Sequence, residues 1–360
     1  MDTLKINYNK EDKSNIIDDK RGKDNNLDNY EDIFDVAIIG GGFAGLSAAL
    51  LLGRYLRPII IFDVFKPRSS YIHGYLGYEK SSRNDLIQKA WHDVIQYQSV
   101  KRVEDKVKRV EKDVENNLFL ITSTKENNMQ NQDNSEKRKA RAKYLIIATG
   151  LQHIKPNIKN FEEYDGNGVW HCPHCDGFEA TNKKLVIIAS DNKDNKALDY
   201  AKVFLGWTKD ITLFLQRSNY DNDNAHNNTS QLTDKQRIEA RTLDIDIIEN
   251  DDIVEIVGDP SIKSIKGVIT RNNGFYQADV LFYHLKKIIQ NEIACQLGCE
   301  LDEGYLKVNK NQQTSIPNVY AAGDIDTDRH YAILAAASGA LAAISIYEEL
   351  LKDALNRTKI

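Results

Sequence analysis

Two cysteines three residues apart open the chemical reading. They stand in His171-Cys172-Pro173-His174-Cys175-Asp176-Gly177. Two thiols at that spacing can close a small disulfide ring and reopen it, which is two-electron redox chemistry. At the start of a helix, one thiol of such a pair is acidified below the free value of about 8.5. Asp176 can pass a proton to the leaving thiolate. His171 and His174 can stabilise a thiolate electrostatically. The competing reading is half of a zinc site, because four donors stand within five residues. The other half would have to come from Cys295 and Cys299, spaced C-x-x-x-C and distant in sequence. Structural zinc takes two compact pairs, so this match is poor. Cys295 and Cys299 read as small packing residues on a surface turn.

The second constellation is Gly40-x-Gly42-x-x-Gly45. It follows the apolar run FDVAII (34–39) and precedes FAGLSAALLLGRYL, which is apolar nearly all round. Strand, glycine turn and buried helix are the context that makes this spacing informative. Gly40 allows the tight turn, Gly42 lets backbone approach a pyrophosphate, and Gly45 lets helix and strand pack closely. The anion would sit on the helix N-terminus. Asp63 ends the next buried strand, IIIFD, where an acid accepts hydrogen bonds from ribose hydroxyls. The third signal is VYAAGDID (319–326), a strand running into a Gly-Asp turn before a small-residue helix.

These sites need α/β units to position them. FDVAII, the helix and IIIFD make one βαβ unit, hence a parallel sheet with a right-handed crossover. A helix is expected over 84–100, and strands of a smaller sheet around 101–123. The polar stretch 124–143 reads as an exposed hairpin loop, and YLIIATG (144–150) as another buried strand. KLVIIAS (184–190), a helix at 195–207 and ITLFLQ (211–216) repeat the βαβ pattern. The fold class is therefore α/β, two Rossmann-like three-layer domains with the second inserted into the first. The expected boundaries are 34–151 and 283–360 for the first domain and 152–282 for the inserted one. Residues 1–33 are a polar arm in which Asp, Glu, Lys, Arg and Asn fill 21 positions, and are expected to be disordered.

Composition narrows the partners. The chain has 360 residues and a formal charge of −5, from 53 acids and 48 bases. That balance offers no electrostatic case for nucleic acid. No run of 18 apolar residues is present, so no membrane span is expected. The first residues carry no apolar signal segment, and four cysteines are not a secreted disulfide framework. The expected compartment is the cytoplasm.

In this order, DVAIIGGGFAGLSAALLLGR, HGYLGYE (73–79), LIIATGLQ, GVWHCPHCDGFE (168–179) and VYAAGDID resemble one family. It is that of the low-molecular-weight thioredoxin reductase-like flavoproteins, FAD-dependent pyridine nucleotide–disulfide oxidoreductases. The likeness spans about residues 34–352, and is closest to a branch that includes dithiol oxidases. The resemblance implies that FAD is held by Gly40, Gly42, Phe43, Ala44, Gly45 and Asp63. It adds His73, Gly74, Thr149 and Gly150, then Gly323 and Asp324 at the ribityl chain, and Tyr331 and Ala332 at the flavin. It implies Cys175 as the thiol beside the flavin, Cys172 as the interchange thiol and Asp176 as the acid, with His174 nearby. It also implies a homodimer and a thioredoxin-like protein, or a small disulfide or dithiol, as partner.

One departure stands out. The family's second domain carries another glycine turn for NADPH, but here the place reads VIIASDNKDNKALDYAKVF, without glycine from 185 to 205. Close approach to a pyrophosphate needs a residue without Cβ, and Asp191 and Asp194 repel phosphates. Arg217 stands alone where NADPH users carry several basic residues. The NADPH site is therefore expected to be impaired or absent, and a ferredoxin-type donor or a reduced dithiol becomes an alternative. Three functions remain open: a thioredoxin-type reductase, a flavin-dependent dithiol oxidase using oxygen, and a non-catalytic FAD- or metal-binding scaffold.

Overall fold

The computed structural model describes residues 33–64, 70–125, 137–190, 196–216 and 232–358. The polar arm up to residue 32, residues 126–136 of the expected hairpin loop, residues 191–195 and Arg217 lie outside the described residues.

The chain begins with β1 (Ile33–Ile39), buried from Phe34 onward, then α1 (Phe43–Arg54) and β2 (Ile59–Phe62). α1 stops where Leu56 takes a φ of 57° ahead of Pro58. Next come α2 (Arg83–Ile95), β3 (Val100–Val103), β4 (Lys106–Asp113), β5 (Leu118–Thr124) and β6 (Lys137–Ile147). α2 is shorter than its apolar pattern predicts because Val100 already belongs to the sheet. The seat of α2 is set by Ser82, whose Oγ accepts from the Asp85 amide at 3.3 Å.

The second half of the fold runs β7 (Leu151–His153), β8 (Val169–Trp170), α3 (Pro173–Asp176), β9 (Leu185–Ser190), α4 (Lys196–Val203) and β10 (Ile211–Gln216). It continues through α5 (Asp234–Thr242), β11 (Ile245–Glu249), β12 (Ile253–Asp259), β13 (Ser264–Thr270), β14 (Phe275–Gln277) and β15 (Val280–His284). The chain then returns by β16 (Lys287–Ile289), α6 (Glu292–Leu297), β17 (Val319–Ala321) and α7 (Ala332–Thr358).

Two sheets organise these elements, the first mixed and the second parallel. The first has the order β3-β2-β1-β6-β5-β4, with β17 also on β6. β6 is the branching strand. Its last residues pair in parallel with β17, and its earlier ones antiparallel with β5. The expected separate smaller sheet is thus continuous with the main one, and residues 137–143 are strand rather than loop. The reason is legible in hindsight: Ala140 and Ala142 are buried while Lys139 beside them is exposed, the alternation of a half-buried strand. One face of this sheet packs on α1, α2 and α7, and the other is closed by the β4–β5–β6 meander and α6.

The second sheet, β8-β15-β9-β10-β11, is parallel throughout. α4 and α5 cover one face, and the antiparallel sheet β12-β13-β14 covers the other. Both halves therefore have the same three layers, as a two-domain Rossmann-like fold requires. They are joined by the antiparallel pair β7–β16.

α7 bears on the expectation of no membrane span, without contradicting it. Residues 332–357 are long and apolar enough to cross a membrane by length and composition alone. The inner side of this helix, with Ala342, Ala343, Ile346 and Leu350, packs into the first core.

Candidate active site

The glycine loop is shaped by contacts that exclude side chains. Gly40 takes a φ of +113°, and a Cβ there would stand 2.2 Å from the Ala148 carbonyl oxygen. A Cβ on Gly45 would fall 1.9 Å from the Gly40 oxygen. Gly42, at the start of α1, differs: a Cβ would meet nothing within 4 Å, so the cradle is open at that point. Phe43 and Ala44 form the first turn behind it. Gly41 is a residue that the spacing rule missed. Its amide donates to Asp63 Oδ1 at 3.0 Å, and a Cβ would collide with that carboxylate at 2.4 Å. The signal was the third glycine in a row, which the motif leaves unspecified.

Asp63 is buried, and burial pushes its carboxyl above the ordinary range, opposed by the Gly41 amide. Its Oδ2 is buried without a hydrogen-bond partner, so it is an acceptor awaiting a donor such as a hydroxyl. The Gly-Asp turn lies beside α1. Gly323 takes a φ of +87°, its amide donates to Ser338 Oγ at 2.8 Å, and a Cβ would meet Ala44 Cβ at 2.9 Å. Gly339 lets α7 cross α1 closely, since a Cβ would lie 2.0 Å from the Ala44 oxygen. Ser338 and Gly339 were hidden in a run of small residues. Asp324, Tyr331 and Ala332 are half-buried around the same helix start.

Two further segments border this region. Thr149 Oγ1 donates to the Gln290 carbonyl at 2.6 Å, and Gly150, at φ +68°, accepts from the Gln290 amide at 3.0 Å. The His73 ring and the Gly74 amide both bind Glu79, at 2.6 and 2.8 Å. Glu79 closes the HGYLGYE loop, and those bonds hold its carboxyl below the usual range, the His73 bond most.

The redox pair sits on the other half. Cys172 and Cys175 form a disulfide with Cα atoms 5.3 Å apart. Cys172 caps the short α3, and its Sγ accepts from the Cys175 amide at 3.1 Å. Both cysteines are half-buried and His174 is exposed. Asp176 is buried, and burial pushes its carboxyl up to about 7, against a downward pull from His73 and with a further push from Glu179. A carboxyl poised there can hold a proton near neutral pH and release it. Asp176 thus lies within electrostatic reach of His73 on the first half. Cys295 is a free, exposed cysteine, and Cys299 is free and buried, as expected of residues outside the redox pair. Among the described residues, no group of three His, Cys, Asp or Glu is placed to hold a metal.

A family model described as pyridine nucleotide-disulphide oxidoreductase matches residues 34–340. The chain belongs to that family. Within it, the thioredoxin reductase of Listeria innocua is 26% identical over 339 residues, covering 90% of this chain and 97% of that one. A component of the alkyl hydroperoxide reductase of Staphylococcus epidermidis is also 26% identical, but this chain spans only 61% of its length. Among solved structures, TrxB of Bacillus anthracis, described as a thioredoxin reductase, aligns with a TM-score of 0.74 at 28% identity. That alignment covers 89% of this chain and 99% of that one. This family member is thus an FAD-dependent oxidoreductase of the thioredoxin-disulfide reductase-like kind, with its glycine loop on one half and its disulfide on the other.

Proposed function

We propose that the protein relays electrons between bound FAD and a partner disulfide through Cys172 and Cys175, with a donor other than NADPH. The observation that supports it most is the disulfide itself, beside a buried acid. We infer residues 34–151 and 283–360 as the FAD domain and 152–282 as the inserted domain. The open cradle at Gly42 suits a pyrophosphate, and the unpartnered Asp63 Oδ2 suits a ribose hydroxyl. Gly40, Phe43, Ala44, Gly45, His73, Gly74, Thr149, Gly150, Gly323, Asp324, Tyr331 and Ala332 complete that site. Bound flavin supplies two-electron oxidation and reduction of the adjacent sulfur pair. The reduced Cys172 thiolate attacks one sulfur of the partner disulfide, and the other sulfur leaves with a proton. Cys175 then attacks Cys172, re-forming the ring and releasing the partner as a dithiol. Asp176 holds the proton that the leaving sulfur takes.

The same residues run in reverse as a dithiol oxidase, a reading favoured by the missing glycine turn after β9. The partner is a thioredoxin-like protein or a small disulfide or dithiol, in the cytoplasm. One preparation tests the proposal. The purified protein should carry about one FAD per chain, and anaerobic dithiothreitol should bleach it. Gly42→Val should fold and hold no FAD, because two γ-carbons fill the cradle. A Gly42→Val protein with full flavin, or a wild-type flavin untouched by dithiol, overturns it.

A homodimer is part of the proposal. Leu334, Leu341, Ile344, Leu351 and Leu355 are exposed on α7 at helical spacing, an apolar stripe one chain leaves in water. Light scattering at micromolar concentration should give twice the chain mass, and Leu341→Glu should give a monomer. A monomeric wild type removes the claim.

A further inference from the structure

Three histidines from three segments meet beside the redox disulfide. His171 directly precedes Cys172, His153 ends β7 in the linker, and His330 precedes α7 in the first half. The His153 and His171 rings are 3.9 Å apart, tilted by 38°, and His330 meets His153 edge-on at 5.8 Å. The contact therefore ties the redox segment to the turn that leads into α7. We propose that His153, His171 and His330 are positioning residues. Together they seat the Cys172–Cys175 segment against the first half, and His330 releases it as it takes up a proton. The proposal rests on the reading of this pair as the redox centre.

The surroundings favour the neutral state. His330 Nε2 lies 3.3 Å from the Tyr305 hydroxyl, which in turn accepts from Lys287. Lys287 stands opposite His153 across the β7–β16 pair. On the other side, Tyr283 lies 5.6 Å from the His171 ring, and Tyr200, stacked on His284, donates to the His171 carbonyl at 3.0 Å. Burial, with Lys287, pushes His330 down to about 4, against upward pulls from a hydrogen bond with the Thr327 backbone and then from Asp328. His284 is likewise pushed down to about 4, by burial and then by Lys287 and Lys196. A group that binds its proton more weakly when seated stabilises the seat above its free value of about 6.5, and loses that stabilisation as pH falls. Asp176 acts oppositely. Its raised affinity for a proton favours the seated state in acid.

The test must cancel Asp176, and a ratio does so. A water-soluble phosphine reduces the disulfide directly: phosphorus is oxidised to the phosphine oxide with oxygen from water, and two thiols form. The flavin-loaded protein is treated with tris(2-carboxyethyl)phosphine at about pH 8 and about pH 5.5. Alkylated Cys172 and Cys175 are then counted by mass spectrometry. His330→Phe keeps an aromatic contact that cannot take a proton. Shifting one imidazole from about 6.5 to about 4 makes the ratio of wild-type to His330→Phe reduction rates rise about tenfold between the two pH values. His330→Leu, which also cannot take a proton, should give a rise in the same direction, which covers a failure of the first variant to fold. A ratio unchanged within about twofold overturns the proposal. The readout counts thiols and needs no electron donor, so a wrong assignment of the physiological reaction leaves it intact.

Discussion

Replacing either Cys172 or Cys175 by serine should abolish disulfide turnover while leaving FAD content unchanged. The two residues sit on the second half, whereas the glycine loop, Asp63 and the Gly-Asp turn all belong to the first. Nothing in the cradle depends on a cysteine sulfur. A serine hydroxyl cannot form the mixed disulfide or close the ring, so the covalent route is lost rather than slowed. Turnover of a test disulfide should fall by about a thousandfold or more, to background. The two variants differ in one respect. With Cys175→Ser, the remaining Cys172 should still trap a partner as a stable mixed disulfide, visible by non-reducing electrophoresis. With Cys172→Ser, the remaining thiol is the one proposed to stand beside the flavin and should not. Trapping by Cys175 alone would exchange the two roles, and residual turnover within about tenfold of wild type would remove the pair from the mechanism.

The chemistry was legible because it depends on residue types at short spacing. Cys172 and Cys175 lie three apart on one turn, and Gly40, Gly42 and Gly45 lie on another. Local geometry alone brings each set together, so a pattern suffices to find them. Long-range partners left no such trace. Gly41 matters because Asp63 stands under it, Gly339 because α7 crosses α1 there, and Glu79 because its loop folds back on His73. Each is explained by a contact that sequence spacing does not encode. The α/β alternation and the parallel core of both sheets were readable from their buried, β-branched strands. The first part of β6 was not, because residues 137–143 alternate a fully charged side with one that carries Arg138, Ala140 and Ala142. Charge hid the period-two pattern that the buried Ala140 and Ala142 reveal.

NADPH should reduce this flavin poorly, with NADH no better. β9 and β10 pair in parallel from Leu185 to Gln216, so the scaffold of a nucleotide-binding unit is complete. The deficit is chemical. β9 ends at Ser190 and α4 starts at Lys196, and the residues between are Asp-Asn-Lys-Asp-Asn. A dinucleotide needs backbone amides against its pyrophosphate, and five residues with side chains replace the glycines that would permit it. From the sequence, Asp191 and Asp194 would add two negative charges to a site for a doubly charged group, which Lys193 and Lys196 would only balance. Farther along the strand ends, Arg237 on α5 is already held by both oxygens of Glu249 at the end of β11. It therefore offers little to a ribose phosphate. Losing one or two charge-assisted contacts lowers affinity by about a hundredfold, or roughly 2.7 kcal/mol. In anaerobic stopped flow, micromolar NADPH should bleach the flavin at least about a hundredfold more slowly than it bleaches a glycine-turn thioredoxin reductase, that being the affinity lost. Dithiothreitol should still reduce the protein fully. Rapid, stoichiometric bleaching by NADPH would show that side chains of this turn hold the nucleotide, and would return the protein to the NADPH-dependent members of its family.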